Sequence, residues 1–499
     1  MSSSAAGPVA SRPRPASARA APPLLLAIMA VGALLRLYGL TRTSLWLDEG
    51  FSVQIAVLER GRFLKLLMAD TQPPLYYAAL AGWTLLFGSG EYAVRLLGVV
   101  VGVLTLPVVF AIGRLLAGPR VALLATALMA TSSLHIHYST EVRMYALLVL
   151  CAAVAIWGAL RFATAPGDVR AQRRGVAAFA GGAVCAAWTQ VAGVFMLPGL
   201  TLLMLAGWWL GGRPKGMLAR FLLAQALVIG ALALSAPLFL RLAANAKGLT
   251  SWIPPVSPRI VAELVGSLVG QRLGTILPLP VAGAAAAVLL AVAAHGAWIW
   301  RRDALRSLFA ALVGVLPFLL TISASLVFAP IFMLRVHLWA LIPLYLLIAA
   351  ALAEPPRRRG GAVVAGLVAA LQLAALYAYH VAWLRPQWRE AIAAIAAEHR
   401  PGEVILAPRR PGAAALVAYY APALAPAVRS LGREEEIDPL ATAAAAHRVW
   451  LLSAPRQDLV PAERVAARLA PSHAPRREWH FERMAVRLFV PRAEGATPR

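Results

Sequence analysis

Long apolar stretches separated by short polar segments occupy the chain from residue 22 to about residue 382. Most stretches are roughly twenty residues long, enough for an α-helix to cross a hydrocarbon core of about 30 Å. The pattern therefore predicts a polytopic α-helical membrane protein with about eleven transmembrane helices. The predicted spans are 22–40, 92–116, 119–134, 141–163, 175–192, 193–211, 217–240, 278–300, 304–327, 331–353 and 360–382.

Basic residues lie in alternate connections between these spans, and such connections usually face the cytoplasm. They are Arg114 and Arg120, then Arg170, Arg173 and Arg174, then Arg213 and Lys215, then Arg301, Arg302 and Arg306, then Arg357 to Arg359. With a basic, disordered cytoplasmic tail over residues 1–21, this rule places segments 41–91, 135–142 and 241–277 outside. The shorter apolar segment 75–88 then becomes an interfacial or re-entrant helix.

The chain beyond residue 384 changes character, because short strand-like and helix-like segments alternate there. GEVILAP, HRVWLLSAP and MAVRLFVP predict strands, and WREAIAAIAAEHR, AALVAYYAP and PAERVAARLA predict helices. Alternation of this kind is typical of a small α/β domain with a mainly parallel sheet. Residues 384–499 are therefore predicted to form a soluble domain outside the membrane, acting as a lid or a docking platform for substrate.

Composition supports the membrane assignment, since 60% of the residues are hydrophobic, only 14% are charged and the mean hydropathy is +0.71. A net charge of +25 would suggest nucleic acid in a soluble protein, but here the arginines occupy inter-span loops and report orientation. We expect no nucleic-acid partner. Cys151 and Cys185 lie in apolar segments without CxxC spacing, so they predict neither a disulfide framework nor a zinc site.

Two adjacent carboxylates, Asp48 and Glu49 in SLWLDEGFS, follow the first span directly. Charges at a bilayer surface are costly, so this pair predicts the edge of an active site. Adjacent side chains cannot both face one reacting atom, whereas a glycosidase needs two carboxylates across the scissile bond. Transfer from a lipid-phosphate sugar needs one base, Asp48, with Glu49 orienting the loop or holding a cation. Capping of the helix that follows is the structural alternative.

A second cluster, HIHYSTEVRMYALL, enters a predicted span from the outer side. Charges there need partners. Arg143 is predicted to face a donor phosphate, Glu141 to position the acceptor or a metal, and Tyr145 to contact substrate. His137 and Glu141 are four residues apart, so a helix would place them on one face as possible ligands of a divalent cation. An ordinary interfacial histidine and an Arg–Glu pair explain the same residues.

Two further segments are candidates for substrate binding. In ADTQPPLYYAAL, consecutive prolines fix a bend between Gln72 and Tyr76, and an aromatic ring there can stack on a sugar or sit among lipid headgroups. Arg335, in FAPIFMLRVHLWALIPLY, is predicted a few residues inside the outer end of a span. There it either snorkels to the surface or binds a lipid phosphate.

In chain order, the first span, the Asp48–Glu49 loop, PPLYY, E-x-R-M-Y, RVHLWALIPLY and RPQWREAIAAI resemble a known family. The chain resembles the membrane-embedded C-type glycosyltransferases of the protein mannosyltransferase and lipid A aminoarabinose transferase group, the glycosyltransferase 39-like enzymes, over about residues 22–400. The resemblance implies a polyprenyl-phosphate monosaccharide donor and a periplasmic C-terminal domain. It also implies catalysis by Asp48, with Glu49, Glu141 and Arg143 as neighbours.

Two positions depart from the family pattern. Gln72 stands where a histidine often precedes the two prolines, and Val336 follows Arg335 where an aromatic residue is usual. Because a neutral glutamine is a poor metal ligand, no cofactor is assigned, and a divalent cation stays an open alternative.

The function predicted is an inverting glycosyltransferase at the outer face of the cell inner membrane, acting on a lipid, glycan or protein acceptor among membrane lipids. The alternatives are a flippase or transporter of a lipid-linked intermediate and a non-catalytic envelope assembly protein. None of the predicted spans carries Asp or Glu away from its ends, which argues against an ion-coupled transporter. The sugar and the acceptor are not specified by the sequence.

Overall fold

The structure is a computed structural model that describes residues 17–249, 253–328, 330–354, 358–382, 385–410, 412–455 and 458–492. Residues 1–16 of the predicted tail lie outside this part of the chain, as does Trp252 of the segment 241–277. Long apolar helices form a bundle, and a small sheet follows at the C-terminal end. This is the fold class predicted from the sequence.

The bundle consists of helices that match the predicted spans. They are α1 (Ser17–Leu37), α5 (Glu91–Thr131), α7 (Tyr145–Ala163), α8 (Val169–Thr189), α9 (Leu197–Leu210), α10 (Lys215–Leu234), α13 (Leu279–Trp300), α14 (Ala304–Phe309) with α15 (Leu316–Val327), α16 (Leu341–Ala353) and α17 (Arg358–Tyr377). Seven helical segments of the described chain are long and apolar enough to cross a membrane, and shorter apolar helices cover Pro22–Leu37, Leu75–Phe87 and Leu338–Ala353.

Helix α5 corresponds to two of the predicted spans, 92–116 and 119–134. Gly118 inside it has φ 85° and ψ 179°, and Pro119 follows. A positive φ of this size suits glycine, and the proline cannot donate a helical hydrogen bond. The chain therefore reverses at Gly118, and the two segments on either side act as separate helices.

Helices α7 and α8 pack backbone to backbone. A Cβ added at Gly175 would lie 2.7 Å from the amide nitrogen of Phe162, and one at Gly182 would lie 2.8 Å from the carbonyl oxygen of Cys151. A Cβ at Gly158 would collide with the amide nitrogen of Phe179. Small residues of this kind allow the close approach on which packing inside membranes depends, since lipid offers no hydrophobic gain to the helices.

Short helices join the bundle at the end where the predicted outer segments meet. They are α2 (Leu47–Val53), α3 (Phe63–Met68), α4 (Leu75–Phe87), α6 (Ser133–Ser139), α11 (Ala236–Leu249) and α12 (Pro258–Gly270). Segment 75–88 is indeed a separate helix of thirteen residues. The side chain of Asn245 on α11 donates to the carbonyl oxygens of Met68 and Asp70, at 3.1 and 2.8 Å, so α11 contacts segment 41–91.

Among the predicted span boundaries that differ from the helices, two affect candidate site residues. Helix α7 begins at Tyr145 rather than at residue 141, and residues 140–144 have no helical conformation. Helix α16 begins at Leu341, so Arg335 lies in a 3₁₀ turn (Leu334–Val336) rather than inside a span. The buried ring of His337 holds this turn, because it bonds to the carbonyl oxygen of Met333 at 2.8 Å and to the hydroxyl of Thr321 at 2.6 Å.

The C-terminal unit, residues 385–492, is a five-stranded sheet flanked by helices. Its strands are β1 (Val404–Pro408), β2 (Val428–Leu431), β3 (Val449–Ser453), β4 (His473–Phe481) and β5 (Met484–Pro491), in the order β2-β1-β3-β5-β4. Its helices are α18 (Trp388–Glu398), α19 (Ala413–Tyr420), α20 (Ile437–Ala443) and α21 (Ala462–Leu469).

The sheet is mixed, which corrects the expectation of a mainly parallel one. Strands β1, β2 and β3 are parallel, whereas β5 is antiparallel to both β3 and β4. For β4 and β5 the reason is the two-residue connection Glu482–Arg483, where Arg483 has φ 55°, since so short a turn joins antiparallel strands only.

We expect Gly158→Ala to weaken the α7–α8 interface, because the new methyl group meets backbone that cannot move away freely. Overpacking of this kind costs about 1–3 kcal/mol. Thermal unfolding of the purified protein in detergent measures the effect. The matched control is Gly181→Ala on α8, where a Cβ meets nothing within 4 Å. Equal unfolding midpoints for the two variants would contradict the proposed close packing.

Candidate active site

Helix α2 presents its two adjacent carboxylates to different surroundings. Consecutive helical side chains point about 100° apart. The side chain of Asp48 is 32% exposed, whereas that of Glu49 is 0% exposed. The two adjacent acids, predicted to have different roles, are therefore a surface carboxylate and a buried one.

Two arginines surround Asp48. The Nη1 atom of Arg335 lies 3.0 Å from its Oδ2 atom, in an ion pair that joins positions 287 residues apart. Arg143 donates from Nη1 to the backbone carbonyl oxygen of Asp48, at 3.2 Å, and to the hydroxyl of Ser52, at 3.3 Å. The guanidinium of Arg335 also lies 5.7 Å from the ring centre of Tyr145. Four residues that the sequence predicted for the site, Asp48, Arg143, Tyr145 and Arg335, are thus together.

Glu49 is held by backbone and by cations on every side. Its Oε2 atom accepts from the amide of Trp46 at 3.2 Å and its Oε1 atom from the amide of Val142 at 2.9 Å. Arg95 and Arg385 approach Oε2 at 3.3 and 3.4 Å. These bonds fix α2 to residues 140–144 and leave Glu49 enclosed by protein groups.

His137 and Glu141 do contact each other, with Nε2 and Oε1 3.2 Å apart. The Nδ1 atom of His137 faces Nη2 of Arg385 at 3.2 Å. A guanidinium only donates and a carboxylate only accepts, so the ring fits as the neutral tautomer with its proton on Nε2. Burial lowers the pKa of His137 to about 3, and the nearby Arg272 adds to this effect.

The metal alternative for this pair gains no support. Across the described ranges, no group of three or more His, Cys, Asp or Glu side chains is placed to hold a metal ion. His137 and Glu141 supply two protein ligands, fewer than the three or four of zinc sites, and Arg385 next to them disfavours a cation. No step is assigned to a metal.

The segment around the two prolines contributes a buried acid rather than an exposed ring. Tyr76 is 2% exposed and cannot stack on a sugar, which corrects that expectation. Its neighbour Tyr77 donates to Oδ2 of Asp70 at 2.7 Å, and burial raises the pKa of Asp70. Gln72 donates to the hydroxyl of Thr71, at 3.0 Å, and stays a predicted substrate contact.

Sequence reasoning missed four contributors to the site: Ser52, Asp70, Arg95 and Arg385. The sequence did show that Asp70 is an acid in a predicted outer segment and that Arg385 is the first charged residue after the last predicted span. Their roles depend on partners up to 336 residues away in the chain, and a single sequence carries no signal for such pairing.

Comparisons with known proteins agree with this architecture. The family described as dolichyl-phosphate-mannose-protein mannosyltransferase matches residues 71–241. The chain is similar to crystal structures of ArnT from Cupriavidus metallidurans. At 16% identity, the complex with undecaprenyl phosphate gives a TM-score of 0.58 over 93% of this chain and 97% of that one, and the apo state gives 0.59 over 96% and 100%.

The apo oligosaccharyltransferase of Archaeoglobus fulgidus is similar at 11% identity and a TM-score of 0.53, over 92% of this chain and 73% of that one. Identities this low show a shared fold alone. No curated protein matches the sequence. The family match confirms the resemblance drawn from the sequence, and with it the prediction of a membrane glycosyltransferase.

We expect His137 to make stability depend on pH. Its folded pKa of about 3 lies below its ordinary value of 6.5, so the unfolded chain binds more protons between these values. Stability contributed by the neutral ring is present above pH 6.5 and is lost as the pH falls, by about 1.4 kcal/mol per pH unit. Thermal unfolding between pH 7.5 and 5 measures this loss.

The His137→Gln variant should lose less stability on acidification than the unaltered protein. The exposed His480, changed to Gln, serves as the control and should leave the pH dependence unchanged. Identical pH profiles for all three proteins would show that His137 takes up its proton freely in the fold.

Proposed function

We propose that the chain transfers a monosaccharide from a polyprenyl-phosphate donor to an acceptor hydroxyl, with Asp48 as the general base. The observation that supports this most directly is a partly exposed carboxylate, Asp48, that pairs with Arg335 and whose backbone carbonyl oxygen accepts from a second arginine, Arg143. A base needs contact with the incoming hydroxyl, and a departing phosphate needs positive charge. Both requirements are met within one constellation.

Asp48 is the better base of the two adjacent acids. Its exposure leaves room for an acceptor, whereas Glu49 is enclosed by Trp46, Val142, Arg95 and Arg385. In the proposed reaction, the acceptor oxygen bonds to the anomeric carbon as the carbon–phosphate oxygen bond breaks. Asp48 accepts the hydroxyl proton, and the electron pair leaves with the polyprenyl phosphate. A single displacement of this kind inverts the configuration at the anomeric carbon.

Arg335 and Arg143 are suited to hold the leaving phosphate. A guanidinium has five donors in a plane and can serve a carboxylate and a phosphate at once. Arg335 uses Nη1 for Asp48, and the tyrosine ring beneath its guanidinium restricts its orientation. Donor binding would therefore bring the anomeric carbon close to the carboxylate that accepts the proton.

The donor class follows from the comparisons. The matching family is described by a dolichyl-phosphate-linked mannose, and one similar ArnT structure is described as bound to undecaprenyl phosphate. The arginine-rich alternate loops support an extracytoplasmic position for Asp48. The acceptor is a lipid, a glycan or a protein on that side.

We expect Asp48→Asn to reduce turnover by about 10²–10⁴-fold, the usual contribution of a general base, while the fold persists. The assay measures release of undecaprenyl phosphate from a panel of labelled undecaprenyl-phosphate monosaccharides, with envelope extract supplying acceptors. The control is Glu59→Gln in the same outer segment, whose carboxylate pairs with Arg62.

Full turnover by Asp48→Asn, or labelling of a cysteine at position 48 from the cytoplasmic side only, would overturn the proposal. Movement of the labelled lipid across liposome membranes without sugar transfer would favour a flippase. An assembly protein would keep its function in this variant and lose it on deletion of residues 385–499.

Arg335→Gln should weaken the binding of undecaprenyl phosphate by about ten- to a hundredfold, since a charge-assisted hydrogen bond contributes about 1.5–3 kcal/mol. The affinity of Arg335→Lys for undecaprenyl phosphate should lie between those of the unaltered protein and Arg335→Gln, because lysine keeps the charge but not the planar guanidinium. Titration of purified protein with undecaprenyl phosphate measures both. The exposed Arg259, changed to Gln, is the control, and equal affinity in all variants would exclude Arg335 from phosphate binding.

A further inference from the structure

We propose that the C-terminal unit positions the catalytic helix, with Arg385 and Gly412 as positioning residues for Asp48. This rests on the proposed role of Asp48 as the base. The sequence predicted a lid or a docking platform for substrate. The contacts instead connect this unit to the backbone on both sides of Asp48.

Helix α2 has few means of holding its own position. It contains seven residues, and the side chain of its first flanking residue, Trp46, cannot accept a hydrogen bond from the helix amides. Helices this short are unstable without tertiary packing. The position of Asp48 relative to its arginines must therefore come from neighbouring elements.

Helix α19 of the C-terminal unit is one of these neighbours. A Cβ at Gly50 would lie 2.7 Å from the carbonyl oxygen of Gly412 and 2.7 Å from Cγ of Leu416. A Cβ at Gly412, which has φ 92°, would collide with the carbonyl oxygen of Leu47 and lie 2.8 Å from the amide nitrogen of Phe51. The two backbones touch directly, one residue before Asp48 and three residues after it.

Hydrogen bonds extend this contact to the residues before α2. The hydroxyl of Tyr420 accepts from the amide of Leu45 at 2.7 Å. The hydroxyl of Ser44 donates to the carbonyl oxygen of Pro386 and accepts from the amide of Trp388, both at 2.9 Å. Segment 44–51 is thus bound to the C-terminal unit by main-chain groups along most of its length.

Arg385 connects the same unit to the second segment of the site. Its side chain is 7% exposed, with Nη1 3.4 Å from Oε2 of Glu49 and Nη2 3.6 Å from Oε1 of Glu141. Glu49 lies in α2 directly after Asp48, and Glu141 lies two residues before Arg143. One guanidinium therefore spans the segment that carries the base and the segment that carries a phosphate-facing arginine.

Displacement of a base by about 1 Å can cost about a hundredfold in rate. We expect Gly412→Ala and Arg385→Gln each to reduce kcat at least tenfold, with the KM for the donor and the affinity for undecaprenyl phosphate changed less than twofold. Arg385→Lys should restore part of kcat, because an ammonium can still pair with Glu49. Hydrogen exchange of full-length protein should show faster exchange over residues 47–53 in the first two variants.

Two matched controls distinguish a loss of positioning of Asp48 from a general loss of stability. Gly212→Ala imposes the same backbone strain, with φ 83°, but its Cβ meets nothing within 4 Å. Arg477→Gln removes an exposed ion pair with Glu398 inside the C-terminal unit. Both should keep kcat and the exchange of residues 47–53 unchanged.

The outcomes distinguish this inference from the function on which it rests. Unchanged kcat in Gly412→Ala and Arg385→Gln, with Asp48→Asn inactive, would overturn the positioning role alone. A fall in donor affinity with constant kcat would also overturn it and would favour a substrate platform. Turnover that survives Asp48→Asn would overturn the proposed function itself.

Discussion

The buried carboxylate of Glu49 is the constraint on which the site depends. A charge without solvent needs partners, and Glu49 has two backbone amides and two guanidiniums. Those partners belong to four separate stretches of chain. Satisfying one carboxylate therefore brings together the start of α2, the long helix α5, the turn before α7 and the beginning of the C-terminal unit.

The charges continue from Glu49 in both directions and alternate in sign. The ion pairs run in the order Arg389, Glu91, Arg95, Glu49, Arg385 and Glu141. Three cations and three anions balance, and the neutral His137 closes the series at Glu141. Replacing Glu49 would leave the buried Arg95 and Arg385 with one carboxylate partner each, and weakening a buried ion pair is more costly than losing an exposed one. Such a series of ion pairs can fix the position of backbone that has no helix or sheet hydrogen bonds, such as residues 140–144.

The sequence predicted the bundle well because lipid imposes a simple rule on it. Apolar length and arginine-bearing loops report spans and orientation directly. The predicted helix boundaries were wrong where residues of the candidate site adopt non-helical or 3₁₀ backbone. This occurs at residues 140–144 and in the turn that contains Arg335. In the C-terminal unit, β4 was missed because HAPRREWHF lies at a sheet edge, mostly exposed, and lacks an apolar alternation.

The sequence indicated several of the residues that belong to the candidate site, but it did not indicate which of them contact one another. Polar groups are costly near lipid, so the sequence could single out four residues of the site, and the fold places them together. They are Asp48, Arg143, Tyr145 and Arg335. Arg385 could not be singled out in this way, because a single arginine after a span is common and its role depends on partners that the sequence does not reveal.

Adjacent placement of the two acids has a physical logic that only the fold reveals. A base must be exposed enough to meet its acceptor, and an exposed side chain on a short helix has few contacts to fix its position. The next residue points about 100° away and can be buried without affecting the first. In α2 the buried Glu49 carries the bonds that hold the helix, and Asp48 is left with one ion pair that a phosphate can share. The same short helix thus carries the acid that holds it in place and, beside it, the acid proposed as the base. The cost of burying Glu49 is offset by Arg95 of α5 and Arg385 of the C-terminal unit.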